Sequence, residues 1–162
     1  MKSMQKVVNC MKDLCGLDAA SAFLDVGSGL GKPNFHDPGC QISYGVELEE
    51  VRWRLSIHNL RAVLYADAGT GSEKKEKAPL RQHNVIFARA DITDASTFDP
   101  FTHVYTFDVG FPPATLGRMA AMFNASGARY LINYHPPKQT VDRDGFDVEL
   151  VAQMHTSLTG KQ

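Results

Sequence analysis

Two short apolar runs in the sequence each end in residues that could bind a ligand. The run AFLDV contains Asp25 and passes into a glycine loop, and the run QISYGVE ends in Glu47. Glycines let a backbone turn sharply and approach a ligand without an obstructing Cβ atom, and a carboxylate can accept hydrogen bonds from both hydroxyls of a ribose. We therefore predict a site for a nucleoside-containing cofactor, built on Glu47 and on the loop residues Gly27, Ser28, Gly29, Leu30 and Gly31.

Asp25 helps to decide which cofactor this site would take. The loop has the pattern GxGxG and lacks the GxGxxG form, and Asp25 stands where it would repel a pyrophosphate. S-adenosyl-L-methionine is cationic, has a ribose and an adenine, and carries no phosphate. A third acid, Asp91 in ARADI, follows another apolar run and can accept from the adenine amino group. The alternative for each acid alone is an ordinary loop or cap residue.

Apolar residues in the surrounding sequence follow two kinds of spacing, one typical of strands and one typical of helices. Short apolar runs typical of buried strands alternate with segments of helical spacing, such as Met4, Val7, Val8, Met11 and Leu14. This alternation predicts an α/β fold with a mostly parallel sheet and helices on both faces. The predicted strands cover residues 22–26, 42–47, 84–88, 103–108 and 129–134, and the alternating end of the chain predicts one more strand after residue 146.

Composition limits the function classes. The chain has 162 residues, a net charge of −1 and 43% hydrophobic residues, which fits one domain over residues 1–162 without a field that selects nucleic acid or an anionic membrane. Direct binding of nucleic acid is left open. Residues 66–83 are polar and predict a mobile loop. The three cysteines lack framework spacing, and no metal-ligand spacing or membrane span is present, so we expect an intracellular protein without a metal.

The motifs FLDVGSGLGK, YGVE, RAD and VEL…SLTGK together resemble the non-SET histone-lysine methyltransferases named for disruption of telomeric silencing. The resemblance covers residues 6–162. It implies a Rossmann-like, class I (seven-strand) methyltransferase core that uses S-adenosyl-L-methionine. It also implies that Asp25 to Gly31 hold the methionine end, that Glu47 holds the ribose, and that Asp91 with Ile92 holds the adenine.

The acceptor side of the family pattern matches less well. The family has an Asn-Asn pair and an aromatic-rich turn after its fourth strand, whereas this chain has TFDVGFPP. Phe107 and Asp108 occupy the positions of the asparagines, and Phe111 keeps one aromatic of the turn. We predict that Phe107, Phe111 and Tyr134 wall an acceptor channel and that Asp108 orients an incoming amine. Core packing for the aromatics and a strand-end cap for Asp108 are the alternatives.

The expected function is methylation of a protein lysine of histone type. A histone or nucleosome would then be the partner and the nucleus the location, with the cytoplasm as the alternative. Two other functions stay open, namely methylation of another nitrogen in RNA or a small molecule, and a cofactor-binding module with weak catalysis. A final strand at the sheet edge would also invite pairing with a second copy of the chain.

Overall fold

The computed structural model of the protein describes residues 2–36, 39–66 and 84–155. The helices are α1 (Lys2–Cys15), α2 (Lys32–Phe35), α3 (Glu50–Ala66) and α4 (Pro113–Asn124). The strands are β1 (Ala22–Val26), β2 (Ile42–Glu47), β3 (Val85–Arg89), β4 (His103–Thr106) and β5 (Tyr130–Ile132). Short 3-10 turns cover Ile92–Asp94 and Asp108–Gly110, and a π-helical turn covers Gln139–Arg143.

The strands form one parallel sheet in the order β3-β2-β1-β4-β5. The chain builds outward from β1 to β3 and then returns to place β4 on the other side of β1. The strand order therefore reverses between β1 and β4, and ligands of open parallel sheets bind at the carboxyl ends of the strands at such a point. The predicted α/β fold and parallel sheet are confirmed, with β1 and β2 at the predicted bounds and shorter β4 and β5.

Helices cover both faces of the sheet because successive strand side chains point to opposite faces. On one face the apolar side of α1 packs against Phe23 and Tyr105. On the same side α3 is tied to β3 by the Trp53 indole, which donates to the Phe87 carbonyl over 3.2 Å. On the other face α4 buries Met119 and its neighbours against Leu24, Val26 and Val104.

The predicted strand after residue 146 is wrong. Residues 146–155 contain no strand, and among the described strands β5 pairs with β4 alone. The Asn124 side chain donates to the Gly145 carbonyl and accepts from the Asp147 amide, both at 2.9 Å, and Phe146 is buried against the Phe123 ring. These contacts hold the start of the segment under the end of α4. The outer edge of β5 thus pairs with no described strand, and residues 147–154 line a cavity together with β5.

The predicted loop, a membrane-spanning helix and a metal site can be considered only within the described residues. Of the predicted loop at residues 66–83, Ala66 is the last residue of α3 and the rest lies outside the described residues. Within the described ranges, no helix is long and apolar enough to cross a membrane. The same ranges hold no group of His, Cys, Asp and Glu side chains that could bind a metal ion.

Candidate functional site

The glycine loop leaves the carboxyl end of β1 in a conformation that suits glycine. Gly27, Gly29 and Gly31 have φ angles of 72°, 54° and 79°, in the left-handed region. The amides of Gly27 and Ser28 both donate to the Val46 carbonyl, over 2.9 and 3.0 Å. The Gly31 amide donates to the Ser28 carbonyl over 2.8 Å. The loop is therefore folded back onto β2 at the switch point of the sheet.

A phenyl ring from β3 supports the loop from the side. A Cβ atom on Gly45 would lie 2.6 Å from the Phe87 ring and 2.9 Å from the Ser28 Cβ, and one on Gly31 would also meet the Phe87 ring. The glycines at 31 and 45 therefore make room for Phe87. The sequence reasoning missed Gly45 and Phe87, although a glycine inside a strand is a known signal of close backbone approach.

Glu47 lies at the end of β2, beside the loop, as predicted. Its carboxylate is 4% exposed; Oε2 accepts from the Gly29 amide over 2.9 Å and Oε1 from the Glu49 amide over 2.8 Å. The Arg52 guanidinium approaches Oε1 to 3.9 Å. Each carboxylate oxygen has capacity for a further hydrogen bond. Glu47 therefore fixes the loop against β2 and keeps acceptor capacity for a ligand.

Asp25 has an unusual environment for a carboxylate. It is 1% exposed, and its Oδ2 atom is buried without a hydrogen-bond partner among the described residues. Burial first, and the nearby Glu47 carboxylate second, raise the pKa of Asp25 well above its usual value. Buried polar groups in native proteins are normally paired. A buried acceptor beside a second carboxylate, under a glycine loop, is a place for a cationic or hydrogen-bond-donating ligand group.

The third predicted acid already has local partners. Asp91 Oδ1 accepts from the Thr93 amide over 2.8 Å and from the Thr93 hydroxyl over 2.7 Å, and these bonds lower its pKa. Asp91 thus caps the turn Ile92–Asp94, which was the alternative for this residue. Asp91 and Ile92 also line a cavity of about 320 Å³ with Tyr44, Phe98 and Phe101. A role toward a ligand at this loop stays a prediction.

The predicted acceptor-side aromatic residues make two separate sets of contacts, and the predicted channel between them stays a prediction. The Phe107 side chain is 48% exposed, and its ring packs edge-on against Tyr134 with centroids 4.9 Å apart. Phe111 is half-buried and its ring lies against Gly27. Phe107 and Tyr134 therefore form one aromatic pair, and Phe111 bridges the turn after β4 to the glycine loop.

Asp108 is buried and has partners within this chain. It is 1% exposed, and its carboxylate accepts from the Tyr134 amide over 3.0 Å and from the Asn133 side chain over 3.2 Å. These contacts anchor the segment that follows β5, which agrees with a structural role of the kind given as the alternative for Asp108. A role of Asp108 in orienting an incoming amine stays a prediction.

The sequence reasoning missed His135, which follows that anchored segment. Its ring lies beside Asp108 and Asp144, two buried carboxylates from different parts of the chain. A histidine directly after a strand, in INYH, was an available signal for the carboxyl edge of the sheet. Its partners were not predictable from local pattern, because Asp108 is 27 positions before His135 in the printed sequence.

Similar folds are found among solved structures. A methyltransferase from Thiobacillus denitrificans, solved with S-adenosyl-L-homocysteine, superposes with a TM-score of 0.52 at 14% identity, over 80% of this chain and 47% of that one. Magnesium protoporphyrin IX methyltransferase from Synechocystis PCC 6803 gives 0.53 at 16%, over 75% and 50%. The methyltransferase domain of bacterial CtHen1-CN gives 0.57 at 12%, over 80% and 63%.

These likenesses establish the fold. The chain has a Rossmann-like, class I methyltransferase fold, as expected, and it spans about half the length of the first two structures. No protein-family model matches the chain, and no curated protein matches it in sequence.

Proposed function

We propose that the protein binds S-adenosyl-L-methionine and transfers its methyl group to an acceptor. The observation that carries this proposal is the unpartnered, buried Oδ2 atom of Asp25 under the glycine loop, at the switch point of a methyltransferase fold. Two neighbouring carboxylates disfavour a phosphate-bearing cofactor by charge repulsion. A ligand with an amino group and a sulfonium suits them.

The residues present fit the parts of this cofactor. Asp25 and the glycine loop would hold the methionine end, and Glu47 has capacity for the ribose hydroxyls. The adenine would lie at the loop of Asp91 and Ile92. Leu48, which follows Glu47 and is 62% exposed, offers an apolar surface at the same end of the sheet. When bound, the cofactor supplies an electrophilic methyl group.

For the acceptor we propose a protein lysine of histone type as the first candidate. Its support is the sequence resemblance in YGVE and VEL…SLTGK together with the aromatic pair of the exposed Phe107 and the half-buried Tyr134. An aromatic pair can pack along an apolar lysine stem. This proposal includes a histone or nucleosome as the partner and the nucleus as the location. We also propose that a second copy of the chain pairs with the outer edge of β5, which pairs with no described strand.

The other candidates differ in the acceptor or in catalysis. The name of the Synechocystis neighbour describes a porphyrin substrate, so this fold serves acceptors unrelated to histones. Another nitrogen in RNA or a small molecule is therefore the second candidate. The third is a module that binds the cofactor with little catalysis, which is suggested by the departures from the family pattern after β4.

Calorimetry followed by an acceptor screen tests the proposal. We expect S-adenosyl-L-methionine and S-adenosyl-L-homocysteine to bind the wild type. Asp25→Asn should lower the affinity for S-adenosyl-L-methionine, which carries the sulfonium charge, more than the affinity for S-adenosyl-L-homocysteine. Asp13→Asn, an exposed acid on α1, is the matched control. Transfer of a labelled methyl group to histone octamers, nucleosomes, RNA and small amines then separates the candidates. Absence of binding to either compound would refute the proposed function.

A further inference from the structure

His135 is held by two carboxylates through one ring nitrogen. Its Nδ1 atom lies 3.0 Å from Asp144 Oδ2 and 3.4 Å from Asp108 Oδ2. Asp144 is 4% exposed and Asp108 1% exposed, so neither carboxylate is free to turn into solvent. The Arg143 guanidinium, 2.9 Å from the other Asp144 oxygen, holds that carboxylate in turn. The charged groups facing the ring are thus Asp108 and Asp144, with Arg143 behind the second.

This arrangement decides where the ring proton lies. A nitrogen between two carboxylate oxygens is a hydrogen-bond donor, so Nδ1 carries a proton and Nε2 of the neutral ring has the basic lone pair. The described residues give Nε2 no hydrogen-bond partner. The side chain is 13% exposed and lines a cavity of about 430 Å³ beside β5. His135 therefore has an oriented ring and an available base atom.

The position of His135 relates it to the candidate site. It follows Tyr134, whose ring packs against Phe107, and it contacts Asp108 in the turn after β4. That same turn ends in Phe111, which lies against Gly27 of the glycine loop. The base, the aromatic pair and the loop therefore follow the carboxyl ends of adjacent strands. The cavity that His135 lines also includes Tyr134, the inner member of the aromatic pair.

We infer that His135 is the general base of methyl transfer and that the acceptor is an amine or a hydroxyl that must lose a proton. This inference rests on the function proposed above. As the acceptor lone pair forms its bond to the methyl carbon, the carbon–sulfur bond breaks and the sulfonium becomes a neutral thioether. His135 Nε2 takes the proton that the acceptor nitrogen or oxygen gives up. Asp108 and Asp144 are positioning residues that fix the orientation of the ring.

The inference also narrows the acceptor class. Acceptors without a proton to lose, such as thioethers, gain nothing from a base. A lysine ammonium must lose a proton before its nitrogen can attack, and so His135 supplies for a lysine acceptor what a desolvated channel alone would otherwise have to provide. Hydroxyls on aromatic rings, which could pack against the exposed Phe107 ring, fall in the same class.

The test compares His135→Gln with His58→Gln, an exposed histidine on α3. Methyl transfer from labelled S-adenosyl-L-methionine is measured with histone octamers, 2-phenylethylamine and catechol. We expect wild type and the control to methylate at least one of the three, with a rate that rises with pH to a plateau. His135→Gln should transfer the methyl group about 100-fold more slowly, and its rate should no longer rise with pH. Added imidazole should restore part of the rate. The affinity of this variant for S-adenosyl-L-homocysteine should equal that of the wild type.

Nitrogen-15 spectra of the histidine rings give a readout independent of turnover. We expect the neutral His135 ring to carry its proton on Nδ1, and Asp144→Asn to loosen that preference and lower the rate without changing cofactor affinity. A proton on Nε2, an unchanged rate in His135→Gln, or no transfer to any acceptor despite binding of S-adenosyl-L-homocysteine would each overturn the inference. Loss of cofactor binding by the wild type would instead refute the proposed function, and calorimetry distinguishes the two failures.

Discussion

The ring of Phe111 lies against Gly27, so that a Cβ atom on this glycine would stand 2.9 Å from the Phe111 Cζ atom. This contact joins the first loop of the sheet to the turn after β4. Gly27 has a φ angle of 72°, which side chains other than glycine rarely adopt. Two physical reasons, steric and conformational, therefore require glycine at this position.

Gly27→Ala is expected to disturb the cofactor loop. The methyl group needs the Phe111 ring to move, and the backbone strain costs about 1–3 kcal/mol. We expect a lower urea midpoint and weaker S-adenosyl-L-methionine binding in calorimetry. Gly117→Ala is the control, because an added Cβ meets nothing within 4 Å at this exposed position of α4. Equal effects of the two substitutions would show that neither the contact nor the φ angle matters.

Glu47→Ala is expected to weaken cofactor binding by at least about tenfold, since each charge-assisted hydrogen bond to the ribose contributes roughly 1.5–3 kcal/mol. The variant also leaves the Gly29 and Glu49 amides without their acceptor, so its free energy of unfolding should fall. Calorimetry measures the first effect and urea denaturation the second. Glu149→Ala, an exposed glutamate, is the control. Unchanged affinity in Glu47→Ala would exclude Glu47 as a ligand.

Asp25 predicts a pH dependence of stability. Its pKa is raised in the folded protein, so the favourable contribution of the protonated carboxyl is complete below the unfolded pKa of about 3.9 and is lost as pH rises through the folded value. Asp25→Asn removes this loss. We therefore expect the ligand-free variant to gain stability over the wild type as pH rises, in urea denaturation at a series of pH values.

A cation at Asp25 has the opposite effect on the carboxyl. It favours the ionised form, so saturating S-adenosyl-L-methionine should stabilise the wild type more at high pH than at low pH. Asp25→Asn should lack this dependence. The opposite result is that the free energies of unfolding of the wild type and of Asp25→Asn differ by the same amount at every pH, with and without ligand. That result would contradict the assignment of Asp25 as the cation site.

Local pattern was sufficient for the part of the fold that holds the cofactor loop. The apolar run at β1 is buried throughout and the run at β2 is mostly buried, and their bounds follow from where glycine and charge interrupt them. These features depend on residues close in sequence, and so the sequence contains the relevant signal.

The acceptor side depends on contacts between distant residues, which local pattern did not predict. Asp108 accepts from the Asn133 side chain and the Tyr134 amide, and His135 is oriented by the carboxylates of Asp108 and Asp144. The segment after Phe146 has the alternation of a strand, yet Asn124 holds its start under α4. Hydrogen bonds of this kind leave no periodic pattern in the sequence.

The last prediction concerns Arg118, an exposed residue of α4. Its Nε donates to the Thr93 carbonyl over 2.6 Å and its Nη2 to the Ala95 carbonyl over 3.4 Å, which ties α4 to the loop of Asp91 and Ile92. If that loop binds adenine, Arg118→Ala should weaken S-adenosyl-L-homocysteine binding by about 2- to 10-fold, from loss of hydrogen bonds worth about 0.5–1.5 kcal/mol each.

Fragments of the cofactor make this prediction specific to the adenine end. Adenosine affinity should fall with Arg118→Ala by a similar factor, whereas methionine affinity should stay the same, because the glycine loop lies on the other side of β2. Arg61→Ala, an exposed arginine of α3, is the control and should change neither affinity. A uniform fall for both fragments would indicate a general loss of structure, and an unchanged adenosine affinity would place the adenine away from this loop.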